Sequence, residues 1–218
     1  MRSRQPRQAP PSRPHRIVSL TLPRLDKPIT PAKPILVRTP PTGPGWLHEI
    51  KHDGYRIVAS RQGDRVRLWS RAGRDWSAAL PGIRDAVLAL PVGELVIDGE
   101  AAAHGEDGRP HFHGLRSRRG RLSALLFAFD LLRLDGEDLR ELPLLKRKAQ
   151  LESLLRGASD RLRYVEHLEG DGPTIFAHAC ALGLEGIVSK RADAPYGARL
   201  AWLKVKNPGY SRKNFRRT

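Results

Sequence analysis

The residues best suited to chemistry lie at 46–54, where the sequence is W-L-H-E-I-K-H-D-G. Apolar and polar residues alternate up to Lys51, which is the pattern of a half-buried strand. Asp53 and Gly54 then predict a tight loop in which Gly54 permits an unusual backbone angle. A lysine held at the end of a strand can act as a nucleophile when its amine is neutral. A lysine beside an aspartate is more commonly a surface ion pair, and K-x-D-G alone is weak support for anything else.

Five further short motifs follow this lysine, and most of them are predicted to lie on a strand or at its end. In chain order they are S-R-A-G (70–73), D-G-E (98–100), F-A-F-D (127–130), E-G-I-V-S-K (185–190) and W-L-K-V-K (202–206). Lys204 and Lys206 are two residues apart on a predicted strand, so both side chains point to one face. Two lysines on one face of an otherwise apolar strand favour phosphate binding over packing in a core.

The remaining sequence predicts strands and helices that interleave without the regular alternation of a parallel βαβ fold. Strands are expected at 46–50, 55–60, 64–69, 94–100, 122–130, 162–166, 185–190 and 201–206. Helices are expected at 82–90, 144–156 and 172–182, and the Gly-, His- and Arg-rich stretch 104–121 predicts a loop with at most one helical turn. We therefore predict an α+β fold of two mostly antiparallel sheets with flanking helices.

Basic residues are concentrated at the two ends of the chain. The net charge is +16, of which residues 1–45 carry +8 and residues 204–218 carry +6, which leaves +2 for the part between them. The amino-terminal region also contains 11 of the 18 prolines. We predict a disordered basic tail over 1–32, one folded domain over 33–208 and a second basic tail over 209–218. This charge distribution favours a polyanionic partner, and solvated tails without a partner are the alternative.

Cysteine content and hydropathy indicate the compartment. Cys180 is the only cysteine, which excludes a disulfide framework and a zinc site built from thiolates. No apolar run is long enough to span a bilayer, and the amino terminus has no apolar signal region. We therefore expect a cytoplasmic protein with no membrane partner.

Taken in order, the motifs resemble those of the nucleotidyltransferase domain of ATP-dependent DNA ligases, most of all the bacterial type of non-homologous end joining. The stretches G-P-G-W-L-H-E-I-K-H-D-G-Y-R, F-D-L-L-R-L-D-G and E-G-I-V-S-K-R-A-D-A-P-Y carry the resemblance, which covers about residues 33–208. It implies an ATP-grasp-like nucleotidyltransferase fold and DNA with nicked or broken ends as the partner. RNA ligases and capping enzymes share the order of motifs, so RNA is an alternative substrate.

The resemblance implies that Lys51 is the nucleophile. It would attack the α-phosphate of ATP, expel pyrophosphate and carry AMP, which then passes to the 5′-phosphate at a DNA nick for strand joining in repair. Only a neutral amine attacks, and positive charge from Lys204, Lys206 and a bound Mg²⁺ would favour that form. The same two lysines would bind the phosphates of ATP.

Two carboxylates and one aromatic ring complete the implied nucleotide site. Glu100 and Glu185 would offer the hard oxygen ligands that Mg²⁺ or Mn²⁺ prefers, and Glu100 would also contact ATP through the ribose. Phe129 would stack on the adenine, with Ile187 and Val188 near the opposite face. Packing in a core explains Phe129 equally well.

Three further residues have implied contacts with the substrates. Glu49 would contact the edge of the purine, and Arg56 would hold the ribose or a phosphate. Arg71 would bind the 5′-phosphate at the nick, although an arginine in a polar turn is also typical of a solvated surface.

The sequence differs from the resembled family after the last lysine motif. Family members continue into an oligonucleotide-binding barrel that helps to close on DNA, whereas only residues 207–218 follow here. We expect nucleotide binding to be kept and nick sealing to need an end-joining or barrel-supplying protein partner, unless the cationic ends substitute for it. The alternative is a ligase-derived domain that only binds nucleotide or DNA, but retention of the Lys51 nucleophile favours an enzyme.

Overall fold

The computed structural model describes residues 27–104 and 110–211, which form two sheets with helices around them. The strands are β1 (Ile35–Leu36), β2 (Trp46–Ile50), β3 (Tyr55–Gln62), β4 (Arg65–Ser70), β5 (Glu94–His104), β6 (Pro110–His111), β7 (Leu125–Leu134), β8 (Glu137–Asp138), β9 (Leu162–Tyr164), β10 (Gly186–Arg191) and β11 (Trp202–Lys206). The α-helices are α1 (Pro81–Leu88), α2 (Arg118–Leu122), α3 (Leu144–Leu155) and α4 (Gly172–Ala181), and a 3₁₀ helix covers Phe112–Arg116.

The strand order confirms the prediction of an α+β fold with two mostly antiparallel sheets. The larger sheet has the order β4-β3-β5-β7-β8, with β6 beside β5 and β9 beside β7. The smaller sheet has the order β1-β11-β10-β2. Two pairings, β7 with β9 and β1 with β11, are parallel, and the others are antiparallel.

Alternation along β3 and β5 gives the larger sheet two different faces. Ile57 and Ile97 point into the main core, which α1 and α3 cover with apolar side chains. Their neighbours in sequence, Arg56 and Asp98, therefore point to the opposite face, because successive side chains of a strand alternate. That opposite face meets the smaller sheet, where Arg56 lies over the ring of Trp202.

The described part of the stretch between β5 and β7, residues 110–124, contains more helix than its composition predicts. β5 continues to His104, beyond its predicted end at Glu100, and the predicted loop contains both the 3₁₀ helix and α2. Ser117 caps α2, since its side chain accepts a hydrogen bond from the Gly120 amide. A serine cap satisfies one of the unpaired amides at a helix start. The strand predicted from residue 122 begins only at Leu125, because Leu122 is the last residue of α2 and Ser123 is its C-cap.

Gly54 is required for a different reason from the one that the sequence predicts. Its φ does not lie in the left-handed region that favours glycine. Instead, a Cβ atom at this position would lie 2.2 Å from the carbonyl oxygen of Ala101. Glycine is therefore needed for the close approach of two backbones where the chain enters β3.

The packed structure begins before the predicted boundary at residue 33. Ile29 packs against the cluster of Val58, Val96 and Leu132, and the Ala32 amide donates to the Tyr196 hydroxyl at 2.9 Å. The disorder predicted for residues 1–26 and the basic residues of 212–218 lie outside the described residues. Within the described part of the chain, no helix is long and apolar enough to cross a membrane.

Candidate active site

A cavity of about 530 Å³ is lined by residues of both sheets and of the segment before β1. The smaller sheet forms one wall of the cavity, and strand register determines which of its residues lie there. Val188 pairs with Glu49 on one side and with Lys204 on the other. Directly paired residues share a face of a sheet, so these three side chains lie next to one another. In the larger sheet, Arg56 pairs with Glu100 in the same way.

Most of the residues that the sequence singled out line this cavity. They are Glu49, Lys51, Arg56, Arg71, Glu100, Phe129, Val188 and Lys204. Glu185 is 6% exposed and reaches Lys51 from the strand end beside it. Lys206 lies at the exposed end of β11 on the same face as Lys204. Ile187 is buried on the other face of β10 and is 1% exposed, so the expectation that it faces the same ligand as Val188 is wrong.

Lys51 lies where β2 ends, and its position is fixed by both its backbone and its side chain. Its amide donates to the Gly186 carbonyl at 3.0 Å, and its Nζ donates to Glu185 Oε2 at 2.5 Å. The Lys51 side chain is 21% exposed, so the amine lies at the accessible part of the cavity. The anchored backbone fixes where the side chain starts, and the carboxylate determines where the amine points.

Positive charge surrounds Lys51 on the side of β11. Burial lowers the pKa of Lys204, and the positive charges of Lys51 and Lys206 lower it further. Arg71 contributes to the same effect from the turn after β4. This cluster of like charges favours an anionic ligand, because an anion would relieve the repulsion.

The second carboxylate near Lys51 is Glu100 on β5. Burial raises the pKa of Glu100 to about 7, although the positive charges of Arg56 and Lys51 act in the opposite direction. The negative charge of Glu185 adds to the rise. Among the described residues, no group of three or more His, Cys, Asp or Glu side chains could hold a metal ion. A metal at this cavity would have to take further ligands from a substrate and from water.

Glu49 lies in a buried ion cluster that the sequence did not reveal. Lys148 Nζ donates to Glu49 Oε1 at 2.6 Å and to the Val165 carbonyl at 2.8 Å, while Lys190 Nζ lies 2.5 Å from Glu49 Oε2. Burial alone would raise the pKa of Glu49, but the charges of Lys190 and Lys148 hold it below its ordinary value. Glu49 is therefore a carboxylate, and a carboxylate only accepts hydrogen bonds.

Phe129 belongs to the apolar wall of the cavity and is 9% exposed. Lys190 Nζ lies 4.2 Å and the Arg56 guanidinium 4.5 Å from the centre of its ring. Trp202 packs edge-on against Phe129, with ring centres 5.9 Å apart. Trp202 also lines the cavity, a position that the sequence did not predict for it. Stacking of adenine on Phe129 stays a prediction, and its core packing is evident.

Arg56 is held by a buried aspartate that the D-G-E motif supplies. Its guanidinium donates to the two oxygens of Asp98 at 2.5 and 2.6 Å, and the Tyr196 hydroxyl donates to Asp98 at 2.6 Å. Arg56 also donates to the Ala32 carbonyl at 3.3 Å. These bonds tie the segment before β1 to the larger sheet beside the cavity.

Of the missed residues, Lys148 carries a signal in the sequence, whereas Lys190 and Trp202 are placed only by strand register. Lys148 follows Leu144 by four positions and precedes Leu151 by three, so helical periodicity places it on the buried face of α3. A lysine on an apolar helical face requires a buried anion, but the pattern does not identify which acidic residue provides it. Lys190 and Trp202 pair directly across β10 and β11, a register that periodicity alone does not provide.

Sequence comparison shows which known proteins this chain is similar to. A family model described as "ATP dependent DNA ligase domain" matches residues 26–206. The chain is 40% identical over 184 residues to the "Multifunctional non-homologous end joining protein LigD" of Pseudomonas aeruginosa, covering 82% of this chain and 22% of that protein. It is 39% identical over 173 residues to a "Probable DNA ligase" of Mycolicibacterium gilvum, covering 73% of this chain and 34% of that protein.

A solved structure has a similar fold over most of this chain. The structure described as "mycobacterial DNA ligase D complexed with ATP and MES" superposes with a TM-score of 0.65 at 34% identity. The match covers 79% of this chain and 60% of that one. The chain thus spans about a fifth and about a third of the lengths of the two curated relatives, and 60% of the solved chain.

Proposed function

Because the chain belongs to the family of ATP-dependent DNA ligase domains, we propose that it transfers adenylate from ATP to its own Lys51 and then to DNA. The observation that carries this proposal is the Lys51 amine at the accessible part of the cavity, 2.5 Å from Glu185. The surrounding positive charge that lowers the pKa of Lys204 supports it. A domain that only binds nucleotide has no need of an amine positioned in this way.

The first step is an in-line displacement at the α-phosphorus of ATP. A bond forms between Lys51 Nζ and phosphorus, the bond from phosphorus to the bridging oxygen breaks, and pyrophosphate leaves. The amine must first lose a proton to water, and Glu185, whose Oε2 accepts a hydrogen bond from the amine, orients it for attack. The developing negative charge on the phosphates would be stabilised by Lys204 and Arg56, which line the same cavity.

The cavity can take a nucleotide in one orientation. Its volume of about 530 Å³ is in the range of small-molecule sites. Since the phosphates must lie at Lys51, the purine would lie at the buried part, where the Glu49 carboxylate can accept a hydrogen bond from an amino group. Adenine has such a donor at C6 and guanine has a carbonyl there, so this carboxylate favours ATP over GTP.

A divalent cation is part of the proposal. Two carboxylates, Glu100 and Glu185, face the place where the phosphates would lie, and Mg²⁺ typically takes one or two protein carboxylates together with substrate phosphates and water. The donor set therefore fits Mg²⁺ or Mn²⁺, which would neutralise phosphate charge when bound.

The proposed acceptor of the adenylate is the 5′-phosphate at a break in DNA. Arg71 supports this part of the proposal, because it is exposed and lines the cavity from the turn after β4. One relative is named a multifunctional non-homologous end joining protein. We therefore include in the proposal an end-joining protein that supplies further contacts to the DNA.

The first experiment is the intact mass of the protein after incubation with ATP and Mg²⁺. The parent should gain one adenylyl group, Lys51→Ala should gain none, and Lys146→Ala, which removes an exposed lysine of α3, should match the parent. Labelling of Lys51→Ala would overturn the assignment of the nucleophile. If the parent gains no adenylyl group and also fails to seal a pre-adenylylated nick, the chain is a binding domain rather than an enzyme.

A further inference from the structure

A second strongly charged surface lies outside the cavity, around α2. Four of the six residues at 116–121 are arginines, and no aspartate or glutamate occurs between residues 110 and 129. Arg161, just before β9, lines the same shallow depression as Arg118 and Arg119. We refer to Arg116, Arg118, Arg119, Arg121 and Arg161 as the arginine surface.

The backbone beneath the arginine surface is tightly packed. Ser117 accepts from the Gly120 amide at 3.0 Å and donates to the Gly114 carbonyl at 2.9 Å. A Cβ atom at Gly120 would lie 2.0 Å from the Gly114 carbonyl oxygen, so α2 rests directly on the 3₁₀ helix. Arg161 is anchored by a hydrogen bond of 3.4 Å to the Ala124 carbonyl. The arginines therefore project from a defined platform.

Solvent reaches the side chains of the arginine surface to different degrees. Arg116, Arg118 and Arg119 are exposed, and Arg121 and Arg161 are half-buried. Like charges so close together repel one another in the folded chain, and a bound polyanion relieves that repulsion. Arginine is also the residue that matches phosphate geometry best, because its planar guanidinium donates two parallel hydrogen bonds.

The arginine surface lies within reach of DNA bound at Lys51. His52, next to Lys51, stacks on Phe127 with ring centres 4.0 Å apart. Leu122 at the end of α2 precedes Phe127 by five residues, which span at most about 18 Å even when fully extended. Duplex DNA rises about 3.4 Å per base pair, so this upper bound corresponds to about five base pairs beyond the contact between His52 and Phe127.

We propose that the arginine surface binds the phosphate backbone of the duplex on one side of the break, within about one helical turn of the joint. This inference rests on the proposed function, since it takes the broken DNA end to lie at Lys51. The contacts are with phosphates and carry no sequence preference. They would align the duplex so that its 5′-phosphate enters the cavity beside Arg71.

The test compares two triple variants of the full chain that remove the same charge. One is Arg118→Ala/Arg119→Ala/Arg121→Ala, and the matched control is Arg65→Ala/Lys146→Ala/Arg156→Ala at exposed positions of β4, of α3 and of the α3 C-cap. Binding of a fluorescently labelled nicked duplex is measured by anisotropy at several salt concentrations. The arginine variant should bind about 10- to 100-fold more weakly at low salt, and its salt slope should fall by about 2–3, or about 0.9 for each lost phosphate contact. The control should change by less than about threefold.

A second readout separates this inference from the proposed function. Formation of lysyl-AMP from ATP without DNA should be equal in the parent and in both triple variants, which also shows that they are folded. Equal weakening of DNA binding in the two variants would mean that only net charge matters and would overturn the inference. A parent that forms lysyl-AMP but does not bind the nicked duplex would overturn the inference and the DNA part of the function while leaving the first step intact. Retained DNA binding with loss of binding to an acidic protein would assign the arginine surface to a protein partner instead.

Discussion

The cavity has two regions with opposite electrostatic character. In the buried region, Glu49, Lys148 and Lys190 are at most 3% exposed, and both oxygens of the one carboxylate are paired with lysines. In the accessible region, Lys51 and Lys204 are near one another and near further positive charge. We call the first region the ion cluster and the second the cationic rim.

The difference follows from what each region must do. A buried charge without a partner costs several kcal/mol, so the ion cluster is constrained by folding stability. The cationic rim is partly solvated, so water screens its repulsion until an anionic ligand neutralises it. Substitutions in the ion cluster should therefore act mainly on stability, and substitutions in the rim mainly on activity.

The largest effect is expected from removal of the single anion of the ion cluster. Glu49→Gln would leave two lysines buried together without a negative charge, which should lower the free energy of unfolding by about 3–5 kcal/mol. The measurement is equilibrium urea unfolding at neutral pH. Glu152→Gln, at an exposed position of the same helix as Lys148, is the matched control and should change stability by less than about 0.5 kcal/mol.

A double variant tests whether charge balance is the cause. In Glu49→Gln/Lys190→Met, one of the two unpaired lysines is also removed, so part of the lost stability should return. If the stability lost in the double variant equals the sum of the losses in the two single variants, Glu49 and Lys190 are not energetically coupled. That result would contradict an ion cluster that acts as one unit.

The next effect concerns the cationic rim. Lys204→Met should slow formation of lysyl-AMP about 100-fold, because it removes one positive group beside the phosphates. Its free energy of unfolding should change by less than about 0.5 kcal/mol, since a repulsive neighbour of Lys51 is lost. The rate is followed by intact mass, and Lys206→Met at the exposed strand end is the control with a smaller effect. If Lys204→Met lost as much stability as Glu49→Gln, the distinction between the cationic rim and the ion cluster would be wrong.

The two regions also differ in how far the sequence predicts them. Lys51 and Arg71 lie in short motifs just after a strand, and Lys204 lies within one. In such places alternation and turn chemistry determine the direction of a side chain. Period-2 alternation likewise predicts both antiparallel sheets. The partners of Glu49 could not be read in this way, because Lys148 lies 99 residues away on a helix and meets it only after both sheets have packed.

Gly54 and Ile187 show the same limit on a smaller scale. The sequence correctly required glycine at position 54, but the reason is the Ala101 carbonyl of a strand that follows much later. Ile187 and Val188 are neighbours in one motif, and only the register of β10 shows which of them faces the cavity. Local patterns predict elements and their faces, whereas contacts between elements depend on tertiary packing.

The smallest effect tests the surplus charge of the ion cluster. Two lysines share one carboxylate, so Lys190→Met leaves Glu49 paired with Lys148 and should change the free energy of unfolding at pH 7 by less than about 1 kcal/mol. Burial lowers the pKa of Lys190 from 10.5 to about 8 in the folded chain. Between these two values the unfolded chain holds more protons than the folded one, so stability should rise with pH in that window.

The parent should therefore gain stability relative to Lys190→Met as the pH rises above about 8, by at most about 1.4 kcal/mol per pH unit. Below about pH 7 the difference between the two proteins should be constant. Urea unfolding of both proteins at about eight pH values from 6 to 9.5 checks this. Subtracting the unfolding free energy of the variant from that of the parent at each pH removes the contribution of groups that titrate alike in both. A difference that does not depend on pH would mean that Lys190 is not the surplus cation, and the charge imbalance would then have to lie with Lys148, whose amine has the Val165 carbonyl as a second acceptor.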